Sequence, residues 1–348
     1  MSNILKTAIL GASGYTGVEC VRLILGHPNL ELTALSAHSR AGEVFGEVFP
    51  SYAGMDLPRL QKWDEINWDD IDVAFACLPH GASQDTIAQI LPRVGTVIDL
   101  SADFRLRDPK VYESTYGRSH DATDILKDAV YGLTEFARDK LPGAKLVACP
   151  GCYPTAALLT LIPAAQSGLI DLDDIIIDAK SGATGAGRKA TLGLSFTELA
   201  EGAQAYGVGT HRHAPEIDQI LQRVSGQAMQ VSFTPHLLPM NRGEIVTIYA
   251  KLAKGQSAKS VRQAYAERYA DEPFVHVEAK GVVPQTRHVR GSNHCRIGIF
   301  SDRRADRVIL IGVIDNLVKG SSGQAVQNLN VVMGWDETTG LGHSALFP

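Results

Sequence analysis

The chain of 348 residues has no uninterrupted apolar run near the roughly 18 residues that a membrane-spanning helix needs, so no membrane role is expected. Met1 to Lys6 lack a basic region, a long apolar stretch and a small-residue cleavage site, and lead straight into a strand pattern. Export is therefore not expected. Cysteine is sparse: five residues, an odd count, which excludes a disulfide scaffold and agrees with a reducing cytoplasm. Positive charge is not in excess. The net charge is -5, so no polybasic surface points to nucleic acid or anionic lipid as a partner. Internal repeats, low-complexity tracts and long linkers are also missing. What remains is a globular composition, 45% hydrophobic and 20% charged, in a chain too long for one core. Two domains are expected.

The first 150 or so residues alternate short apolar runs with helical stretches. Thr7 to Leu10, Leu30 to Ser36, Val73 to Ala76, Thr96 to Leu100 and Lys145 to Ala148 read as strands, and Val18 to Leu25 as a helix stopped by Gly26, His27 and Pro28. Short buried strands separated by helices imply an α/β domain with a Rossmann-type, doubly wound parallel sheet. The pattern changes after Cys152. A helix from Tyr153 to Gln166 is followed by β-branched runs at Asp174 to Ala179, Gln230 to Thr234, Glu244 to Leu252, Phe274 to Val277, Cys295 to Phe300 and Arg307 to Ile314. Few helices separate them, the clearest being Ala258 to Tyr269. An α+β second domain with a mixed or antiparallel sheet is expected over 152–319. A last helix, Gly323 to Met333, returns to the first domain, which is then 1–151 with 320–348.

Gly11-Ala12-Ser13-Gly14-Tyr15-Thr16-Gly17 follows the first strand and opens the first helix, with the spacing G-x-x-G-x-x-G. Gly11 makes the tight turn, Gly14 lets backbone approach a pyrophosphate, and Gly17 allows close helix–sheet packing. The helix start adds unpaired N–H groups and a positive dipole end. Glycine spacing alone also fits a plain turn; its place after the first strand favours the nucleotide. The second strand ends in Leu35-Ser36-Ala37-His38-Ser39-Arg40, with no carboxylate for a ribose 2′-hydroxyl. Ser36, Ser39 and Arg40 suit a 2′-phosphate instead, so NADP is expected over NAD. The competing reading of Ser39 and Arg40 is a solvated loop.

Cys149-Pro150-Gly151-Cys152 lies between a strand and a helix. A thiol at a helix start is favoured as thiolate, and the N–H groups there can hold an oxyanion. C-x-x-C also fits a redox dithiol, half of a zinc site, or two packed core cysteines. No second C-x-x-C exists to complete a zinc site, and a nucleotide loop far upstream does not suit a small dithiol domain. No metal is therefore expected. Cys152, at the exposed tip, is the expected nucleophile. Such a nucleophile wants a base, and His211-Arg212-His213-Ala214-Pro215-Glu216, just before a helix from Pro215 to Val224, holds the densest histidine pair.

Together these residues resemble the N-acetyl-gamma-glutamyl-phosphate reductase family of the aspartate-semialdehyde dehydrogenase superfamily. The resemblance spans nearly the whole chain. It rests on Gly11 to Gly17, Cys77-Leu78-Pro79-His80-Gly81, Asp99 to Arg105, Pro150 to Thr155, Ser181 to Arg188, His211 to Glu216 and Lys319 to Asn328. It implies an NADPH-dependent reduction of a gamma-acyl phosphate through a thioester on Cys152, in arginine biosynthesis. It implies His213 as acid/base with His211 nearer the substrate, although either could face the thiol. Arg105 falls where the superfamily binds phosphate; a surface salt bridge is the competing role. The cofactor set it implies adds Ser181, Gly182, Asn316, Gly323 and Gln324 to Gly11, Ser13, Gly14, Tyr15, Thr16 and Gly17. Arg188, Tyr206 and His211 are substrate candidates, with Arg212 and Arg242 beside them. A homo-oligomer, tetramer or dimer, built through the second domain is also implied.

Overall fold

The computed structural model describes residues 4–347. The chain divides into two units, Met1–Pro150 with Ser321–Gly342, and Gly151–Gly320 with His343–Pro348. The first runs β1 (Leu5–Leu10), α1 (Tyr15–Leu25), β2 (Leu30–Ser36), α2 (Phe45–Val48), β3 (Leu60–Gln61), β4 (Val73–Ala76), α3 (Ser83–Ile90), β5 (Thr96–Asp99), α4 (Pro109–Tyr116), α5 (Thr123–Asp128), β6 (Val130–Tyr131) and β7 (Leu146–Ala148). Its sheet has the order β3-β2-β1-β4-β5-β7-β6, and every pair is parallel. The order reverses between β1 and β4, the crevice where open α/β sheets bind ligands. The Gly11–Gly17 loop leaves β1 there, and Cys77 follows β4. Ala8, Leu10, Ala74, Ala76, Val97 and Ala148 are fully buried in the core, which is why these strands read as continuous apolar runs.

The second unit runs α6 (Cys152–Gln166), β8 (Ile170–Gly182), α7 (Phe196–Leu199), β9 (Gln204–Ala205), α8 (His213–Ser225), β10 (Ser232–Leu238), β11 (Glu244–Leu252), α9 (Ala258–Arg268), β12 (Val275–Val277), β13 (Cys295–Ser301) and β14 (Arg307–Ile314). Its sheet, β12-β13-β14-β11-β8-β10-β9, is mixed. β8 pairs with β10 in parallel and with β11 antiparallel. The chain then enters α10 (Gly323–Val332) in the first unit.

Helix α6 is buried at every residue from Tyr153 to Ala165. Pro163 sits inside it and cannot donate to the carbonyl one turn back. That carbonyl, on Leu159, accepts instead from the Tyr269 hydroxyl, and the Tyr265 hydroxyl donates to the Thr160 carbonyl. Two tyrosines at the end of α9 thus repair the break and fix α6, whose first residue is Cys152.

Two details differ from the sequence expectation. β8 begins at Ile170, four residues before the expected Asp174, because Asp171 and Asp174 break the apolar pattern without breaking the strand. They pair with Lys251 and Arg307 of other strands. The last residues do not group with the nucleotide-binding unit. Leu346 N donates to Arg290 O at 2.8 Å and Arg287 lies over the Phe347 ring, both within the second unit. Among the described residues no helix is long and apolar enough to cross a membrane.

Candidate active site

Cys152 is the first residue of α6, capped by Gly151 in extended conformation with no side-chain acceptor at the cap. The first-turn N–H groups and the positive end of the helix dipole therefore favour a thiolate and an oxyanion there. Cys152 is partly exposed. Cys149 is not: its thiol is buried, its sulfur lies 3.6 Å from Asn328 Nδ2, and burial pushes it up to about 12. The two thiols of the C-x-x-C are thus chemically unlike.

The residue after Cys152 organises the histidines. The Tyr153 ring meets His211 and His213 edge-on, with centroids 5.8 and 5.9 Å apart. His213 is the first residue of α8, and its N–H donates to His211 Nδ1 at 3.2 Å. That leaves His211 an acceptor on one nitrogen. Burial, with Arg212 beside it, lowers His211 to about 4. His211 is thus neutral near pH 7, with its Nδ1 engaged by the His213 N–H. Tyr206 donates through its hydroxyl to that of Tyr153 at 3.2 Å.

Three residues outside the expected set join this site. Glu216, on the first turn of α8, accepts from Gly151 N at 2.9 Å and ties α8 to the cap of α6. Glu244, the first residue of β11, is wholly buried and faces the Cys152 thiol and the Ser181 hydroxyl. Tyr153 itself is the third. The sequence carries a signal for Glu244: it shares a strand face with Val246, Ile248 and Ala250, all fully buried.

Several expected cofactor ligands in this unit also contact the protein. Asn316 Oδ1 accepts from Gly243 N and its Nδ2 donates to Thr184 Oγ1, both at 2.9 Å, so its amide joins two loops. Ser181 is buried and donates to Gly182 O. Gly182 packs so close that a Cβ there would meet Asn241 O at 2.7 Å. Arg242 pairs with Asp315 at 3.5 Å. Arg188 and Arg212 are exposed.

In the first unit the loop fits a pyrophosphate. Gly11 has φ +73°, and a Cβ on it would strike Cys77 O at 2.3 Å. A Cβ on Gly17 would strike Gly11 O at 2.4 Å. At Gly14 the nearest atom would be Gly11 O at 3.5 Å, so that face is open. No side chain caps α1, which leaves the N–H groups of its first turn, from Tyr15 and Thr16 on, facing the loop. Ser13 is half-buried on the loop. Ser322 Oγ donates to Thr16 O at 3.0 Å, which brings Gly323 to the same place. The Gln324 amide is buried, and its Nε2 donates to the Thr134 hydroxyl.

At the end of β2, Ser36 is buried and Ser39 exposed. Arg40 is ion-paired with Glu43 at 3.0 Å. Arg59, unnoticed in the sequence, reaches the same turn and donates to Gly42 O at 3.0 Å. Arg105 is not a surface salt bridge. It is buried, with Nε on Cys149 O at 2.8 Å and Nη2 on Leu100 O at 2.9 Å.

Residues 6–144 match the family model described as semialdehyde dehydrogenase, NAD binding domain, and residues 152–316 the one described as semialdehyde dehydrogenase, dimerisation domain. Among solved structures, aspartate semialdehyde dehydrogenase II of Vibrio cholerae, complexed with ASA, aligns with TM-score 0.73 at 16% identity, over 95% of this chain and 98% of that one. The Candida albicans aspartate semialdehyde dehydrogenase with NADP aligns with TM-score 0.67 at 18% identity, over 95% and 98%. The fold is therefore that of the semialdehyde dehydrogenases.

Full-length relatives narrow this. N-acetyl-gamma-glutamyl-phosphate reductase of Rhodospirillum rubrum is 54% identical over all of both chains. A probable chloroplastic N-acetyl-gamma-glutamyl-phosphate reductase of Arabidopsis thaliana is 49% identical over 99% of this chain and 86% of that one. The chain belongs to the N-acetyl-gamma-glutamyl-phosphate reductase family.

Proposed function

We propose that the chain reduces N-acetyl-gamma-glutamyl phosphate to the semialdehyde and phosphate, with NADPH as reductant, in arginine biosynthesis. The observation that carries the mechanism is Cys152 at the uncapped start of α6, with both histidines packed on the next side chain. His213 takes the thiol proton, and the sulfur attacks the acyl carbon. The α6 N–H groups hold the oxyanion. Arg105 meets the departing phosphate, which leaves with the proton from His213. NADPH supplies the hydride that reduces the thioester. Gly11 to Gly17, with Ser13, Tyr15, Thr16 and Gly323, hold its pyrophosphate, and Ser36, Ser39, Arg40 and Arg59 its 2′-phosphate. Tyr206, Arg188 and Arg212 hold the substrate's polar groups, and Arg242 braces the loop before β11.

We assign a homo-oligomer, tetramer or dimer, built through the second unit. The dimerisation-domain match supports it, as does Ile176 on β8, 38% exposed. A cytoplasmic site of action suits the free thiols.

A steady-state assay of N-acetylglutamate semialdehyde, phosphate and NADP beside aspartate semialdehyde tests the substrate. Preference for the aspartyl or an aminoadipyl compound would overturn it. Cys152→Ser should nearly abolish turnover. Near-normal turnover in that variant rules out the thioester, and NADPH binding without turnover in the unaltered protein rules out the reductase.

A further inference from the structure

The carboxyl of Glu244 is wholly buried at the start of β11, where register sets it against Ser181 of β8 and Ile314 of β14. Ile314 and the nucleophile are neighbours: a Cβ on Gly320 would meet Cys152 Cβ at 2.8 Å and Ile314 Cδ1 at 3.1 Å. The donors that face the carboxyl are the Cys152 thiol from α6 and the Ser181 hydroxyl from β8. Neither oxygen reaches full hydrogen-bond geometry with a described residue. The other titratable groups around it are Tyr153 and Tyr206, both held above the usual phenol range by burial first, and Asp315 at the end of β14. Asp315 adds like charge, and Arg242 pairs with it. Burial pushes Glu244 up to about 8, against the pull of Cys152 and Ser181.

We propose that Glu244 is a further catalytic residue, a general acid that protonates the Cys152 sulfur as the aldehyde leaves. The assignment rests on Cys152 being the nucleophile. After the hydride arrives, the carbon bears an alkoxide and the sulfur. The alkoxide electron pair forms the C=O bond, the C–S bond breaks, and its pair passes to sulfur. The Glu244 O–H proton moves to that sulfur, leaving a thiol beside a carboxylate, and water returns a proton to the carboxylate. Over one cycle the thiol proton leaves through His213 with phosphate, and one proton enters at Glu244. Acid and base are thus different residues on opposite sides of the same sulfur's chemistry.

The test is the pH profile of kcat in the reductive direction for the wild type and Glu244→Gln. The wild type should lose activity as pH rises through about 8. Glu244→Gln should lower kcat about 100-fold at neutral pH, as loss of a general acid does, and remove that alkaline limb. An alkaline limb unchanged in Glu244→Gln overturns the proposal. Alkylation of Cys152 by iodoacetamide in both proteins keeps the two claims apart: a reactive Cys152 with unaltered profiles sinks Glu244 alone, whereas full activity of Cys152→Ser sinks the nucleophile. If Glu244→Gln does not fold, infrared difference spectra of the wild type before and after alkylation decide. A carboxylic-acid C=O band that shifts at neutral pH is expected, and its absence overturns the proposal.

Discussion

The N–H of Gly151 donates to the carboxylate of Glu216 across 2.9 Å. Gly151 caps the helix that starts at Cys152, and Glu216 lies one turn into the helix that starts at His213. Residues three apart share a helix face, so α8 presents His213 and Glu216 together. One hydrogen bond thereby couples the position of His213 to that of the Cys152 thiol.

Glu216→Gln keeps an oxygen acceptor for Gly151 and should fold with near-normal stability. Glu216→Ala leaves a buried N–H without that acceptor and should cost about 1–3 kcal/mol, with a fall in kcat because the cap can shift. Urea unfolding of the two variants checks this. Equal stability of Glu216→Ala and the wild type would mean the bond positions nothing.

The cofactor preference should depend on a competition at Arg40. Its guanidinium is shared with Glu43, whereas a 2′-phosphate offers a second, stronger acceptor. Arg40→Ala should raise KM for NADPH about tenfold, a loss near 1.4 kcal/mol, and leave KM for NADH little changed. Glu43→Gln should lower KM for NADPH, because it removes the rival acceptor. Initial-rate measurements with both nucleotides test the pair. Equal preference in the unaltered protein, or an Arg40→Ala effect that falls equally on both nucleotides, would place the 2′-phosphate elsewhere.

The parallel sheet was legible because strands buried on both faces read as apolar runs, and the glycine loop because its spacing is geometric. The start of β8 was hidden, since its aspartates pair with cations on β11 and β14, far along the chain. β3, β6 and β9 are only two residues long and carry no period at all. Side-chain direction was the least legible property. Asn316 and Gln324 sit in family motifs, and both ends of the Asn316 amide and the Nε2 of Gln324 also bond the protein's own backbone and hydroxyls. Glu244 was legible only as an oddity, a carboxyl on an otherwise apolar strand face, and chain order gives no hint that Cys152 would be opposite.

The two histidines should separate cleanly. His213→Asn removes the proton carrier and should lower kcat about 100-fold or more. His211→Asn keeps an acceptor for His213 N and should lower it far less. His211 also has a thermodynamic signature. Its folded value, about 4, lies below the unfolded 6.5. Between those values the unfolded chain binds a proton that the folded chain refuses, so stability falls as pH drops from about 6.5 toward 4. His211→Asn should flatten that acid limb. The flattening is partial, because His294, also lowered to about 4 by burial first, acts in the same sense. Thermal unfolding across this window measures it, and a steeper acid limb in His211→Asn would contradict the assignment.

Cys149 offers the sharpest contrast with Cys152. A redox dithiol requires both thiols, and a thioester enzyme requires one. Burial raises the Cys149 thiol to about 12, so almost none is thiolate at neutral pH, and only the thiolate reacts. Its sulfur accepts from Asn328 Nδ2, which also donates to Gly132 O, while Asn328 Oδ1 accepts from the Thr134 hydroxyl. A serine oxygen can accept from the same amide. Cys149→Ser should therefore keep kcat within about twofold and lose on the order of 1 kcal/mol of stability from the imperfect fit. Cys152→Ser should keep stability and lose turnover. The two variants, assayed and unfolded side by side, should show opposite patterns. Loss of turnover in Cys149→Ser equal to that in Cys152→Ser would return the C-x-x-C to dithiol chemistry.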